Sequence, residues 1–267
     1  PLLQTYYDRA KLLRKGSVFS RTTTWVFRAG PVVGLATPIC ALLLLPLGAA
    51  PALVSFNGDL ILFAYLFGLG RFFTVAAALD TGSAFEGMGG AREVTFSCLA
   101  EPALFFALLV LVRSSGSLAL GGMLGPSLAS GWVSSGASLV LITVSLFIVL
   151  LAENSRIPVD DPNTHLELTM IHEVMVLDHG GPAFGMILYG ATLKLFALGA
   201  LIVGIVVPYH GGDPAIGWAL FLGGMVALAI LIGIVESVMA RLRLPQVPSL
   251  LVAACLLSGF GIVLMAR

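Results

Sequence analysis

The chain has 267 residues, no net charge, and 10% charged residues against 58% hydrophobic ones. A soluble domain carries about 25% charged residues, so this composition excludes an ordinary soluble enzyme and identifies an integral membrane protein. The neutral balance points to no nucleic acid and no acidic partner. Cys40, Cys98 and Cys255 stand singly in apolar segments, without the CxxC pairing that a cluster or zinc site would need.

The chain begins at Pro1 rather than Met, which predicts further sequence upstream. Residues 1–28 hold six Lys/Arg and a single acid, Asp8. Leu2, Leu3, Tyr6, Ala10 and Leu13 recur there at helical spacing, predicting an amphipathic helix lying in the membrane interface. Seven apolar segments follow, at about 30–48, 59–79, 94–112, 136–152, 183–207, 215–238 and 248–266. Each is near the ~20 residues that a spanning helix requires. The expected fold is an all-α integral membrane protein, one transmembrane domain over 1–267.

Loop charges orient it. If the basic N-terminal stretch is cytoplasmic, alternation places 80–93, 153–182 and 239–247 on the same side. Arg9, Lys11, Arg14, Lys15, Arg21, Arg28, Arg92, Arg156, Arg241 and Arg243 then share that side, and only Arg113 and Arg267 lie opposite. That asymmetry obeys the positive-inside rule and predicts a multi-pass protein of the cell (inner) membrane. Segment 113–135, on the far side, is long enough to predict a surface segment.

Between the fourth and fifth spans runs a polar island, LAENSRIPVDDPNTHLELTMIHEVMVLDHGG, from Leu151 to Gly181. It contains Glu153, Asp160, Asp161, Glu167, Glu173 and Asp178, six of the 14 carboxylates of the chain, and three of its four histidines. Pro158 and Pro162 cannot sit inside a regular helix. A turn is therefore expected over 154–163, then a helix from near Thr164, with Thr164 and Glu167 at capping-box spacing. His165, His172 and His179 are spaced by seven, so a continuous helix would hold neighbours roughly 10 Å apart, too far to share one ion. Val176 stands where the second histidine of HExxH would be. A polar face that meets a partner or carries protons fits these residues better than a metal site.

Four ionisable residues fall inside spans: Arg71, Glu101, Lys194 and Glu236. Each costs about 2.5–3.5 kcal/mol to insert near the bilayer centre, so they are expected to face the bundle interior. Glu101 precedes Pro102, which frees a carbonyl and admits water or a kink. The plain alternative is a pair of structural charges, Arg71 with Glu101, locking the helices.

The island resembles the cytoplasmic loop of the complex I membrane subunit that abuts the quinone chamber. It resembles still more the equivalent subunit of membrane-bound nickel–iron hydrogenases of the formate hydrogenlyase type. The complex I loop reads A-E-x-x-R-x-P-F-D-L-P-E-x-E-x-E-L, and Glu153, Arg156, Pro158, Asp160, Pro162, Glu167 and Leu168 match it. Val159 and Asp161 replace its F and L, and D-D-P-x-x-H-L-E-L is the hydrogenase-like form. In EGMGGAREVTFSCLAE, Gly89, Gly90, Arg92 and Glu101 fit a G-G-x-R-(x)8-E pattern. LLQTYYDRAKLLRK resembles the L-Q-P-x-x-D-x-x-K-L segment that follows the family's first helix, with Thr5 in place of its proline.

The resemblance implies eight transmembrane helices, hence one preceding residue 1. It implies a subunit without its own cofactor, joining peripheral hydrogenase-like large and small subunits to antiporter-like membrane subunits within the lipid. The peripheral subunits would carry the iron–sulfur clusters and a possible nickel–iron centre. The counterparts of Glu101, Glu153 and Glu167 would link that arm to a proton path, to which Glu236, Arg71 and Lys194 are added from their place in spans. Arg156, Asp160, Asp161, His165, His172 and Glu173 are the expected partner interface. Lys194 has no counterpart in the complex I subunit, which sets a shared quinone chamber in doubt. Beside a coupling subunit stand two alternatives: a quinone-site subunit, and an independent ion transporter or passive anchor.

Overall fold

The computed structural model describes residues 3–160, 170–208 and 212–265. Helices α1 (Gln4–Arg14), α2 (Trp25–Leu44), α3 (Asp59–Asp80), α4 (Ala84–Ser115) and α5 (Leu120–Met123) form the first half. Helices α6 (Ser127–Glu153), α7 (Gly181–Val206), α8 (Pro214–Val238) and α9 (Val247–Met265) form the second. Short 3₁₀ turns at Glu173–Val176 and Leu244–Gln246 precede α7 and α9. Among the described residues, seven helices are long and apolar enough to cross a bilayer. Their outward faces carry Phe72, Val226, Ile230 and Phe260, all well exposed. Such side chains would form a sticky patch in water but are ordinary against lipid.

The bundle is built from two groups of helices. In one, α2 packs on α3 and α7; in the other, α4, α6 and α9 pack on one another, with α3–α4 and α6–α7 joining the two. Phe63, Leu108, Leu111, Leu139, Ile142 and Leu201 fill the core between them. Helix α8 lies outermost, packed on α7.

Helix ends are fastened by local chemistry. Thr24 caps α2 by accepting from the Val26 amide at 3.2 Å, and its own amide and hydroxyl donate to Asp80 at 2.6 and 3.0 Å. That ties the start of α2 to the end of α3. Asp213 caps α8 by accepting from the Ala215 amide at 3.0 Å. Asp59 is fully buried and accepts from the Leu120 amide at 2.7 Å, fastening α5 to the start of α3. Gly181 opens α7 with φ +56, a left-handed backbone that favours glycine, and a Cβ there would meet the Gly16 carbonyl oxygen at 2.8 Å.

Several boundaries differ from the sequence expectation. The span expected at 94–112 belongs to a 32-residue helix beginning at Ala84, so most of the expected loop at 80–93 is helical. Glu86, Arg92 and Glu93 lower the hydropathy there without interrupting the helix. The surface segment expected over 113–135 holds α5 and the first turns of α6. The chain bends at Ser135 (φ −138, ψ 34), next to the start of the apolar run at 136. The N-terminal helix stops at Arg14, short of the 28 residues of the basic stretch. Residues 154–160 turn as expected, but the helix start at Thr164 lies outside the described residues. His172 and His179 do not share a continuous helix, because Glu173–Val176 is a 3₁₀ turn.

The α2–α7 crossing makes one testable point. A Cβ on Gly190 would meet the Gly34 carbonyl oxygen at 2.5 Å and Leu35 Cα at 3.3 Å. Both are backbone and cannot swing away, so Gly190→Ala should lower stability by about 1–3 kcal/mol. Gly223 has nothing within 4 Å, so Gly223→Ala should be neutral or stabilising through helix propensity. Thermal melts of the two variants in detergent, compared with wild type, check both signs.

Candidate functional site

The site grows from one arginine. Arg71 of α3 is 7% exposed and presents three nitrogens to three carboxylates. Its Nε lies 3.0 Å from Glu93 Oε1, its Nη1 donates to Glu101 and its Nη2 to Glu153. Glu93 and Glu101 are eight residues apart on α4, which returns them to similar faces at different heights. Glu153 is the last residue of α6 and also receives Lys194 of α7, Nζ to Oε2 at 2.7 Å. Five charged side chains from four helices thus meet inside the bundle. Guanidinium suits this place, since its planar fork offers donors on several edges at once.

Glu101 is the open corner of the group, its side chain 46% exposed. Beside it a space of about 10 Å³ is lined by Ala64, Gly68, Arg71, Glu101, Glu153 and Leu198. That is near the least volume that holds one water, and its lining supplies polar partners.

A second group adjoins the first through Glu93. His172 Nε2 lies 3.2 Å from Glu93 Oε2, and His172 Nδ1 lies 3.6 Å from Asp160 Oδ2. Asp160 is buried; its Oδ1 accepts from Arg241 Nη2 at 2.9 Å, and its Oδ2 accepts from the Ile171 and His172 amides at 3.1 and 3.2 Å. Burial works against the Asp160 charge, but the His172 contacts and the two amides outweigh it and hold this carboxyl below its ordinary range. Burial likewise works against a charged His172, but Glu93 and Asp160 prevail and raise the imidazole above its ordinary range. Lys194 opposes that rise.

The first turns of α4 hold the segment that carries His172. Glu86 Oε1 accepts from the Asp178 amide at 2.9 Å, and Arg92 Nη1 donates to the Met170 carbonyl at 2.8 Å. Between them Gly89 lets the segment approach: a Cβ there would meet the Ile171 carbonyl oxygen at 3.0 Å.

Of the residues expected on a proton path, Arg71, Glu101, Glu153 and Lys194 come together. Glu236 stands apart, its Oε1 3.2 Å from Arg156 Nη1, and Glu167 lies outside the described residues. Of those expected at a partner interface, Arg156 and Glu173 are partly exposed. Asp160 and His172 turn inward to the chain's own charges. Asp161 and His165 lie outside the described residues. Sequence reasoning misses Glu93, which falls in an expected loop next to the span, and gives Arg241 only a loop charge. The period of α4 is the available signal, since Glu86, Glu93 and Glu101 recur at intervals of seven and eight.

His179 serves elsewhere. Its ring stacks on Phe27 at 4.0 Å between centroids, with Nε2 3.3 Å from the Phe27 carbonyl oxygen. Burial lowers its pKa from 6.5, only partly offset by that carbonyl. The unfolded state then binds the proton more readily, so this contact contributes fully above pH 6.5 and weakens as pH falls below it. Protection from hydrogen exchange around 178–180, taken relative to the intrinsic rate at each pH, should fall on acidification from pH 7, and His179→Phe, which keeps the stack, should remove that loss.

Known proteins resemble this chain over most of its length. Formate hydrogenlyase subunit 4 of Escherichia coli (strain K12) is 30% identical over 272 residues, covering 99% of this chain and 85% of that one. Hydrogenase-4 component C of the same strain is 31% identical, covering 90% of this chain and 76% of that one. The H subunit of NADH-quinone oxidoreductase from Paraburkholderia xenovorans (strain LB400) is 23% identical, covering 92% and 71%. A chain in the structure of the membrane-bound sulfane sulfur reductase, an archaeal respiratory membrane complex, shares the fold with a TM-score of 0.84 at 21% identity, covering 99% of this chain and 87% of that one. Residues 1–266 match the family model described as NADH dehydrogenase, and the chain is a multi-pass membrane protein belonging to that family.

Proposed function

We propose that this chain is the membrane-anchoring and coupling subunit of a hydrogenase-like, complex I-related complex, linking redox chemistry in a peripheral arm to proton (or sodium) translocation. One observation carries the reading: charged side chains run without a gap from the Asp160–Arg241 pair on the loop to Glu101 and Glu153 among the helices. Ionisable residues at this density within a membrane bundle mark ion pathways more often than packing. The loop side is cytoplasmic, and its outer surface, including Arg156 and Glu173, docks peripheral large and small subunits. Those subunits hold the iron–sulfur clusters and, where retained, the nickel–iron centre. Antiporter-like subunits and lipid cover the apolar faces.

A quinone-site role draws on the likeness to the NADH-quinone oxidoreductase protein, but the space beside Arg71, Glu101 and Glu153 is water-sized. Phe67, Leu104, Val149 and Leu198 add apolar walls to it, but its volume leaves no room for a quinone ring.

The test is affinity isolation of the tagged chain from its native membrane in mild detergent. Peripheral subunits containing iron, and nickel where present, should co-purify in fixed ratio. A chain that isolates alone and carries ions by itself in liposomes would be a transporter instead.

A further inference from the structure

We infer that His172 is the residue through which a proton passes between the loop and the membrane-embedded charge cluster; this rests on the coupling role just proposed. The two ring nitrogens face carboxylates of two different groups, Nδ1 towards Asp160 and Nε2 towards Glu93. Among the described residues these contacts join Asp160–Arg241 to the cluster around Arg71. Neither contact yet has hydrogen-bond geometry, so a small rotation of the ring precedes transfer; an imidazole can then accept at one nitrogen and donate at the other. Neither Arg71, which stays protonated, nor Arg241 can do so.

Charge counting supports an exchangeable proton here. Among the described residues in contact here, Asp160, Glu93, Glu101 and Glu153 supply four negative charges, and Arg71, Lys194 and Arg241 supply three positive ones. One proton, on His172 or on a carboxylate, neutralises this set. The groups facing the ring are Glu93 from α4, Asp160 from the loop and, at longer range, Lys194 from α7. The side chain is 20% exposed, but both ring nitrogens are buried, so a proton reaches them from the flanking carboxylates rather than from open water.

The step balances. A proton arriving on Asp160 bonds to Nδ1, while the N–H bond at Nε2 breaks and its proton joins the Glu93 carboxylate. The ring is left as the other tautomer and resets by rotating or by passing the proton back. From Glu93 the proton moves by water towards Glu101, the open corner of the cluster.

The experiment uses the intact complex in sealed inverted vesicles given reduced methyl viologen, reading the uncoupler-sensitive rate of proton uptake. His172→Gln keeps a hydrogen-bonding side chain without a titrating nitrogen; His172→Lys keeps a positive charge but offers one nitrogen. Both should lower the rate at least tenfold, within the range that a positioned proton carrier contributes. His172→Ala should recover part of the rate with added imidazole. A His172→Lys complex pumping within twofold of wild type would make the residue a fixed counter-charge and overturn the relay. So would undiminished pumping by His172→Gln, or a failure of both variants to assemble where Glu101→Gln assembles. Glu101→Gln run in parallel separates the two ideas. If it pumps normally, the coupling path itself falls; if it fails while the His172 variants pump, the path stands without this histidine.

Discussion

Arg71→Met should abolish stable assembly. The substitution leaves Glu93, Glu101 and Glu153 facing one another with Lys194 beside Glu153 and His172 beside Glu93, in a place where Arg71 itself is 7% exposed. Removing one partner of a buried ion pair costs about 3–5 kcal/mol because the other charge stays buried and unpaired. Here two buried carboxylates, Glu93 and Glu153, lose the same partner together with the half-exposed Glu101, against a total stability of about 5–15 kcal/mol for a typical protein. Arg71→Lys should fall between, since a compact ammonium cannot meet three acids on separate edges. Combining Arg71→Met with glutamine at 93, 101 and 153 should recover much of the stability, because it removes the orphaned charges together with their partner. Yield of assembled complex and its melting temperature in detergent give the readout. A Met variant that melts with wild type would mean that the carboxylates do not depend on the guanidinium.

Glu101→Gln should produce the opposite pattern: an assembled complex that moves few protons. Glutamine preserves size and can still accept from Arg71 Nη1, and the corner it occupies is 46% exposed, so little burial is at stake. What it cannot do is release a proton. A positioned acid or base contributes about 10²–10⁴-fold to a proton-transfer step, so uncoupler-sensitive uptake should fall by at least tenfold. Turnover falls with it where the redox and proton steps are tightly linked, and an uncoupler then does not restore it, because the block lies in the path rather than in the gradient. Normal uptake in a well-assembled variant would make Glu101 a structural partner of Arg71.

Both residues were conspicuous in the sequence, and others were not. Hydropathy located all seven spans, because an apolar run of about 20 residues has few alternatives in a bilayer. It also singled out Arg71, Glu101 and Lys194, since a charge amid hydrocarbon stands out. The same signal hid Glu93. That residue follows Glu86, two glycines and Arg92, so the window that measures hydropathy stops just where the helix continues. Glu236 misled for the complementary reason: it lies within an apolar run, but near the end of α8, where Arg156 can reach it. The inward turn of Asp160 and His172 could not be read at all. It depends on Arg241, 81 residues beyond Asp160, and loop pairings of that range leave no local pattern.

Helix α4 also has a mechanical meaning. Glu86, Gly89, Glu93 and Glu101 ride on a single helix, Ala84–Ser115. Glu86 and Glu101 are 15 residues, or about 22 Å, apart along it. A hydrogen-bonded helix transmits a twist along its length, and carboxylate tips sit ~5–6 Å from its axis. A turn of the outer end by ~10° therefore shifts each tip by ~1 Å, enough to make or break a hydrogen bond. Pro102 follows immediately after Glu101, and with it the loss of a backbone hydrogen bond that lets a helix flex. The carbonyl it frees is that of Cys98, so the joint lies over 98–102: the helix is a shaft as far as Glu93, and Glu101 rides on the joint itself.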